Sequence, residues 1–164
     1  MDLGLKDRVY VVTGATRGLG NAAARELVAD GAKVVVTGRD ETRVLAAAAE
    51  LGPNAFGVAV DNADPSAAER LIAAARENFG GFDGVLISVG GPAPGFVADN
   101  TDEQWQSAFE SVFLGAVRLA RAAVRAGPAG LRRLCALGCG AAAADDAALR
   151  ARSPRVQLRS PAHR

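Results

Sequence analysis

The chain has 164 residues with 19 basic and 18 acidic side chains, so a formal net charge of +1 excludes an overall field that would recruit nucleic acid or an anionic membrane. Hydrophobic residues make up 49% and charged residues 23%, which is typical of a globular domain with its own core. Because no stretch approaches the roughly 20 apolar residues of a membrane helix and no signal sequence is evident, we expect a cytoplasmic protein.

The first three quarters of the chain alternate strand patterns with helix patterns. Short runs rich in β-branched residues predict buried strands at Arg8–Thr13, Lys33–Gly38, Ala55–Val60 and Gly84–Val89. Helical spacing between and after them predicts helices over about 18–31, 41–51, 65–79 and 102–126. Each connection is long enough to join parallel strands, which have right-handed crossovers. We therefore expect an α/β, Rossmann-type doubly wound parallel sheet of strand order 3-2-1-4.

Several residues mark the predicted helix ends. Gly31 is expected to end the first helix in a left-handed conformation, and Asp40 to cap the second. Pro65 is expected at the first position of the third helix, where its missing N–H is not needed. Thr101 and Gln104 form a capping box at the start of the long fourth helix.

Two apolar faces are predicted from helical spacing. In the first helix this face comprises Leu19, Ala22, Ala23 and Leu27. In the fourth helix we expect a stripe that covers the sheet, made of Trp105, Phe109, Val112, Phe113, Ala116, Ala120 and Val124.

The chain changes character after residue 126. Residues 1–126, the predicted Rossmann-type domain, contain 12 basic and 16 acidic side chains, whereas residues 127–164 contain seven arginines against two aspartates. This Ala/Arg-rich tail has a possible fifth strand at 132–138, a weak helix pattern and a last segment with little apolar surface to bury. We expect a fold that is incomplete on its C-terminal side and a tail that ends in disorder.

The clearest chemical signal is the run from Thr13 to Gly20, TGATRGLG, directly after the first strand and at the start of the first helix. Glycine there allows a tight turn and close approach to a pyrophosphate, whose charge is held by the helix N-terminus. The crevice is expected at the carboxyl ends of strands 1 and 4, where the winding direction reverses.

These residues resemble the short-chain dehydrogenase/reductase family, whose glycine motif is T-G-x-x-x-G-x-G. In this resemblance Asp61, beside Asn62, matches the aspartate that contacts the adenine ring, and the segment 87–90 takes the place of the family's Asn-Asn-Ala-Gly. Residues 101–123 resemble the family's long fourth helix. The implied cofactor-binding residues are Gly14, Thr16, Arg17, Gly18, Leu19, Gly20, Arg39, Asp61, Asn62, Ser88 and Gly90.

The charge of the loops favours NADP over NAD. Arg17 lies inside the glycine loop, and Arg39 follows the second strand, where an acidic residue would favour the ribose of NAD. Two guanidinium groups there suit a 2′-phosphate. The alternative is that Arg39 faces solvent beside Asp40.

The catalytic groups of the family have no counterpart in this sequence. The family uses a serine and a Tyr-x-x-x-Lys pair, but Tyr10 is the single tyrosine and lies inside the first strand. Lys6 precedes that strand and Lys33 begins the second, so neither can take the role of the family's lysine. Ser111 and Val112 stand where the family has a proton-relay asparagine. We therefore assign no catalytic residue, and Cys135 and Cys139 are too few to indicate a metal site.

Three functions stay open. The first is an NADP-dependent oxidoreductase by descent, inactive as this chain, with a small carbonyl or alcohol substrate only if another chain completes it. The second is a non-catalytic or regulatory subunit that binds the cofactor and pairs with an intact relative through the helix at 102–126. The third is a binding module whose basic tail contacts an acidic partner, although basic blocks are usually just solvated.

The tail predicts a truncated or frame-shifted family member. Its Ala, Arg, Gly and Pro bias is typical of GC-rich coding sequence translated in a shifted frame. Sequencing the encoding DNA tests this: we expect another frame downstream of codon 126 to encode a serine and a Tyr-x-x-x-Lys pattern. An encoding DNA without that pattern in any frame would contradict the hypothesis.

Overall fold

The computed structural model describes residues 3–91, 98–126 and 134–137. Five parallel strands form one sheet in the order β3-β2-β1-β4-β5, namely β1 Val9–Val12, β2 Lys33–Gly38, β3 Ala55–Ala59, β4 Gly84–Ser88 and β5 Leu134–Leu137. The helical segments are α1 Gly18–Ala29, α2 Glu41–Leu51, α3 Ala67–Phe79, α4 Asp102–Phe109, a π-helical segment Glu110–Leu114 and α5 Gly115–Ala126. The predicted Rossmann-type sheet and its order 3-2-1-4 are confirmed.

The central strands are mainly apolar because helices cover both faces of the sheet. Val35 packs in the layer under α3 and α5, together with Leu71 and Leu119. Val34 and Val36, its neighbours along β2, pack in the opposite layer with Ala24 of α1. Since successive side chains of a strand point to opposite faces, a strand between two helical layers needs apolar residues at every position.

The possible fifth strand is present in the structure. The backbone of β5 pairs in parallel with β4 from Val85 opposite Leu134 to Ser88 opposite Leu137. The outer edge of β4 is therefore hydrogen-bonded rather than open. The rest of the predicted tail lies outside the described residues, so the division at residue 126 stays a prediction.

Three of the four predicted helix ends are confirmed. Gly31 follows α1 with a φ of 83°, and the carboxylate of Asp40 accepts a hydrogen bond of 3.0 Å from the Arg43 amide. Thr101 and Gln104 form both bonds of the capping box, with lengths of 2.8 and 3.4 Å. These local patterns act within one turn of the chain, which is why the sequence is sufficient to predict them.

The predicted start of the third helix is wrong by two residues. The Asp64 carboxylate accepts hydrogen bonds of 2.8 Å from both the amide and the hydroxyl of Ser66, which lowers the pKa of Asp64. The Asp64 carbonyl accepts a further bond from the Ala67 amide. Residues 64–66 therefore form a turn stabilised by Asp64, Pro65 lies in this turn, and α3 begins at Ala67.

The predicted apolar face of the first helix is also partly wrong. Gly20 and Ala24 are buried in α1, whereas Leu19 is 74% exposed and Ala22 is exposed. The reason is the close packing of Gly20 against the backbone of the glycine loop, which turns a different face of the helix toward the sheet.

The predicted fourth helix differs from the structure in two ways: it is interrupted by a π-helical segment, and a different face of it is buried. The π-helical segment, with its wider turn, changes the phase of the helix between α4 and α5. After it, Gly115, Leu119 and Ala123 are buried, and Ala116 and Ala120 pack partly against the core. Val112 is half-buried at the cavity, and the other four residues of the predicted stripe are exposed: Trp105 44%, Phe109 52%, Phe113 53% and Val124 62%.

Within the described ranges, no helix is both long enough and apolar enough to cross a membrane.

Candidate cofactor-binding site

A cavity of about 410 Å³ opens at the carboxyl ends of β1, β2 and β4. It lies where the strand order reverses between β1 and β4, the position expected from the topology. Its lining residues are Gly14, Thr16, Arg17, Gly18, Thr37, Gly38, Arg39, Val60, Asp61, Asn62, Ser88, Val89, Gly90, Gly91, Ser111 and Val112. Nine of the eleven residues inferred from the resemblance are therefore brought together.

The glycine loop needs glycine for two different physical reasons. Gly14 has a φ of 59°, and a Cβ on it would lie 2.5 Å from the carbonyl oxygen of Ser88. Gly18 has a φ of 60°, but a Cβ on it would meet no atom within 4 Å. Gly14 thus permits the loop to pack against β4, whereas Gly18 leaves open space at the start of α1 that suits a phosphate group.

The start of α1 keeps its positive end available for an anion. Its N-cap residue, Arg17, makes no side-chain hydrogen bond to the first turn, and that turn contains no acidic residue. The amide dipoles at the start of the helix are therefore not neutralised by a carboxylate of its own first turn.

Three hydrogen bonds between distant segments hold the loop in place. The Thr13 hydroxyl donates to the Ser88 carbonyl at 2.9 Å and accepts from the Ser88 amide at 2.9 Å. The Ala15 amide donates to the Thr37 carbonyl at 3.1 Å. These bonds connect β1 to β4 and the loop to β2, so the cavity is formed before any ligand arrives.

Two residues of the predicted set lie beside the cavity instead of lining it. Leu19 is largely exposed on the outer side of α1. Gly20 is buried, and a Cβ on it would collide with the carbonyl of Gly14. Gly20 therefore allows close packing of the helix against the loop, which is the role expected of the last glycine in such a motif.

The wall at the end of β2 is positively charged. Arg17 and Arg39 both line the cavity and are exposed, and among the described residues neither forms a salt bridge. The Asp40 carboxylate pairs instead with Arg43 at 3.4 Å. Gly38 is the last residue of β2 and has no side chain, so this position adds no carboxylate to the wall. A Cβ on Gly38 would lie 2.9 Å from the Thr16 side chain.

The neighbouring wall is formed by the loop after β3, because the Val60 amide donates to the Gly38 carbonyl at 2.9 Å. The Asp61 carboxylate accepts a hydrogen bond of 2.9 Å from the Ala63 amide, which holds this loop in a turn. Asn62 is half-buried behind it. Asp61 and Asn62 line the cavity after β3, and Ser88 and Gly90 line it at the end of β4.

The part of the wall formed by the π-helical segment has no described group for proton transfer. The Ser111 hydroxyl donates to the carbonyls of Ser107 and Ala108 at 3.0 and 3.3 Å, so it serves the helix. Val112 is apolar. Tyr10 is buried in β1, in the layer that contains α1, and does not line the cavity.

The predicted cofactor-binding set omits several residues of the site, although the glycine run begins at Thr13 and the resemblance places Ser111 at the proton-relay position. Thr13 fixes the loop to β4, and Thr37, Gly38 and Ser111 line the cavity. Thr13 and Thr37 are polar residues at the ends of two apolar strands, each followed by a glycine, and this pattern is the signal that could have found them.

A comparison with protein-family models assigns this chain to a family. The short chain dehydrogenase model matches residues 8–130, and the chain belongs to this family, the short-chain dehydrogenase/reductases. It is similar to the 3-oxoacyl-[acyl-carrier-protein] reductase FabG of Escherichia coli, with 32% identity over 124 residues, 76% of this chain and 51% of the relative. It is also similar to L-rhamnose 1-dehydrogenase (NAD(P)(+)) of Azotobacter vinelandii, with 45% identity over 97 residues, 55% of this chain and 38% of the relative.

Solved structures agree with this assignment. L-Sorbose reductase from Gluconobacter frateurii, complexed with NADPH and L-sorbose, matches with a TM-score of 0.70 and 34% identity over 77% of this chain and 49% of that chain. A short-chain dehydrogenase/reductase from Brucella melitensis matches with a TM-score of 0.72 and 31% identity, over 77% and 54%. The chain thus spans about half the length of the curated relatives and solved structures it matches.

The cavity wall contains a buried hydroxyl that lowers the stability of the fold, which indicates a binding site. The hydroxyl of Thr37 is buried, and within the described part of the chain it has no hydrogen-bond partner. A buried polar atom without a partner costs free energy in the folded state. A wall that keeps such an atom beside two arginines and a free helix N-terminus fits a polar, phosphate-bearing group such as a dinucleotide.

We predict that Thr37→Val raises the free energy of unfolding by about 1 kcal/mol, because it removes an unpaired buried hydroxyl. Thr13→Val is the matched control and is expected to lower it by a similar or larger amount, because Ser88 loses both bonds. Urea unfolding of the two variants measures this difference. A destabilised Thr37→Val variant would show that the hydroxyl is paired in solution.

Proposed function

We propose that this chain binds NADP(H) in the cavity and forms the coenzyme-binding part of a short-chain dehydrogenase/reductase that interconverts carbonyl and alcohol groups. The observation that carries the choice of coenzyme is the pair Arg17 and Arg39 on the wall at the end of β2, where Gly38 supplies no carboxylate. A 2′-phosphate accepts hydrogen bonds from guanidinium groups, whereas a ribose diol is better bound by a carboxylate. The cytoplasmic location expected from the sequence is part of this proposal.

The residues present fit the adenosine and pyrophosphate parts of the coenzyme. The free N-terminus of α1 and the open space over Gly18 suit the pyrophosphate, and Arg17 and Arg39 suit the 2′-phosphate. Asp61 and Asn62 line the wall where the family resemblance expects the adenine ring. When bound, the nicotinamide ring supplies the hydride, and the residues of this chain bind and orient the dinucleotide.

As this chain, the protein is proposed to be catalytically inactive. The sequence contains no Tyr-x-x-x-Lys pair, and the described cavity wall contributes Ser111 and Val112 where a proton relay would be needed. A small carbonyl or alcohol would be turned over only in an assembly in which another chain supplies the serine, tyrosine and lysine. The same lack of substrate-side residues leaves the substrate unassigned.

Replacement of both arginines separates NADP from NAD. The double variant Arg17→Ala, Arg39→Ala is expected to weaken NADPH binding by more than about tenfold, since hydrogen bonds to charged groups contribute about 1.5 to 3 kcal/mol each. Binding of NADH should change much less. Titration followed by the fluorescence of the reduced nicotinamide measures both constants.

Arg121→Ala serves as the control, because Arg121 is exposed on α5 and does not line the cavity. Equal losses for NADPH and NADH in the double variant would contradict the choice of NADP. Absence of binding of either coenzyme to the unmodified chain would contradict the proposed function itself.

A second candidate function is a non-catalytic or regulatory subunit that binds the coenzyme and pairs with an intact relative. The exposed aromatic side chains of Trp105, Phe109 and Phe113 favour it, with the last two stacked at a centroid distance of 5.0 Å. An apolar patch of this kind on a helix is typical of an interface between subunits.

The oligomeric state tests this candidate. Phe109→Ser combined with Phe113→Ser is expected to convert an oligomer into monomers in sedimentation experiments, while the NADPH affinity is retained. Leu45→Ser, at an exposed apolar position on α2, is the control and should leave the assembly unchanged. A purified chain that is monomeric before any substitution, and stays so when mixed with an intact relative, would contradict the pairing.

A further inference from the structure

A salt bridge spans the whole π-helical segment. The Arg118 guanidinium of α5 lies 2.9 Å from the Glu110 carboxylate, measured between Nη1 and Oε2. Ion pairs on a regular helix join residues three or four positions apart, whereas this pair is eight positions apart and encloses residues 110–114. Both side chains are largely shielded from solvent, with 28% and 36% exposure, so screening by salt is reduced.

The same nitrogen also reaches the loop after β3. Nη1 of Arg118 donates to the Ala63 carbonyl at 3.1 Å. Ala63 follows the two residues of this loop that line the cavity, and its amide holds the Asp61 carboxylate. Arg118 therefore connects the π-helical segment with the loop by one guanidinium group.

The two segments also meet directly, backbone against backbone. Gly115 is the first residue of α5, and a Cβ on it would collide with the carbonyl of Asn62. A residue other than glycine at this position would push the loop away from the helix. Contact at Gly115 and the bonds of Arg118 thus act on the same loop from neighbouring turns of the helix.

We propose that Arg118 is a positioning residue for the dinucleotide site. This inference rests on the coenzyme binding proposed above. It holds the loop that carries Asp61 and Asn62 at a defined distance from the π-helical segment that carries Ser111 and Val112. Those four residues form two walls of one cavity. Arg118 itself does not line the cavity, so it acts on the ligand through the loop.

The fold does not depend on this guanidinium. Leu119 and Ala123 bury the inner face of α5, with 3% and 0% exposure. Arg76 of α3 donates to the Ala126 carbonyl at 2.8 Å and fixes the other end of the helix. Removal of the Arg118 charge should therefore leave α5 in place and release the loop.

The experiment compares Arg118→Met, which keeps the aliphatic stem, with Arg121→Met, which removes one exposed charge from the same helix. Affinities are measured for NADPH and for adenosine 2′,5′-bisphosphate, and amide hydrogen exchange is measured at Ala63 and Asp64 in the protein without ligand. Arg118→Met is expected to weaken the binding of both ligands by about tenfold, which corresponds to the loss of one hydrogen bond to a charged group. It is also expected to accelerate hydrogen exchange several-fold at the two amides. Arg121→Met should change neither.

Two further variants distinguish positioning from general stability. Arg118→Lys keeps a cation within reach of Glu110 and should recover part of the ligand affinity. Glu110→Gln should lower the ligand affinity less than Arg118→Met does. Unchanged ligand affinity in Arg118→Met, beside an unmodified chain that binds NADPH, would overturn the inference and leave the proposed function intact. Failure of the unmodified chain to bind would overturn the proposed function, and unchanged exchange at Ala63 and Asp64 would independently overturn the inference.

Discussion

The reciprocal pair of hydrogen bonds between Thr13 and Ser88 is the constraint on which the site depends. One side-chain oxygen satisfies both the amide and the carbonyl of a residue 75 positions away. This brings the end of β1 to the end of β4, where the strand order reverses and a crevice must form. Gly14 then has to be glycine, because the carbonyl of Ser88 occupies the space that a side chain would need.

The electrostatic character of the cavity follows from this arrangement. Once the loop is fixed, the positive end of α1 points into the cavity without an acidic residue in its first turn. Arg17 and Arg39 add full positive charge at the rim, and the nearest carboxylate in sequence, that of Asp40, is engaged with the start of α2. A site with these properties favours a ligand that carries several negative charges near one end.

The helix that covers the other side of the sheet has two separate functions on its two faces. The π-helical segment lets residues of the inner face of α5 pack on the core while Ser111 and Val112 of the segment reach the cavity. The same change of phase leaves Phe109 and Phe113 on the outer surface, stacked on each other. One irregular turn therefore links the cavity wall, the core and an exposed aromatic patch.

Local sequence was sufficient for the sheet, the caps and most of the cavity lining. Runs of Val and Ile predict buried strands because every position needs an apolar residue, and Asp40 or Thr101 caps a helix through bonds within one turn. The glycine spacing after β1 predicts the anion site for the same local reason. The tertiary structure decided what depends on contacts beyond one turn of the chain: that Gly20 packs against the Gly14 backbone and turns α1, and that Trp105 and Phe109 are exposed. The late start of α3 is a local effect, because the Asp64 carboxylate forms a turn with Ser66 that competes with the first turn of the helix. Helical spacing identifies an apolar stripe, but which part of it is buried depends on how the wide π-helical turn rotates one half of the helix against the other. The close approach of Gly115 to the Asn62 carbonyl accompanies this turn, and it joins segments that are far apart in the chain, so no local pattern contains it.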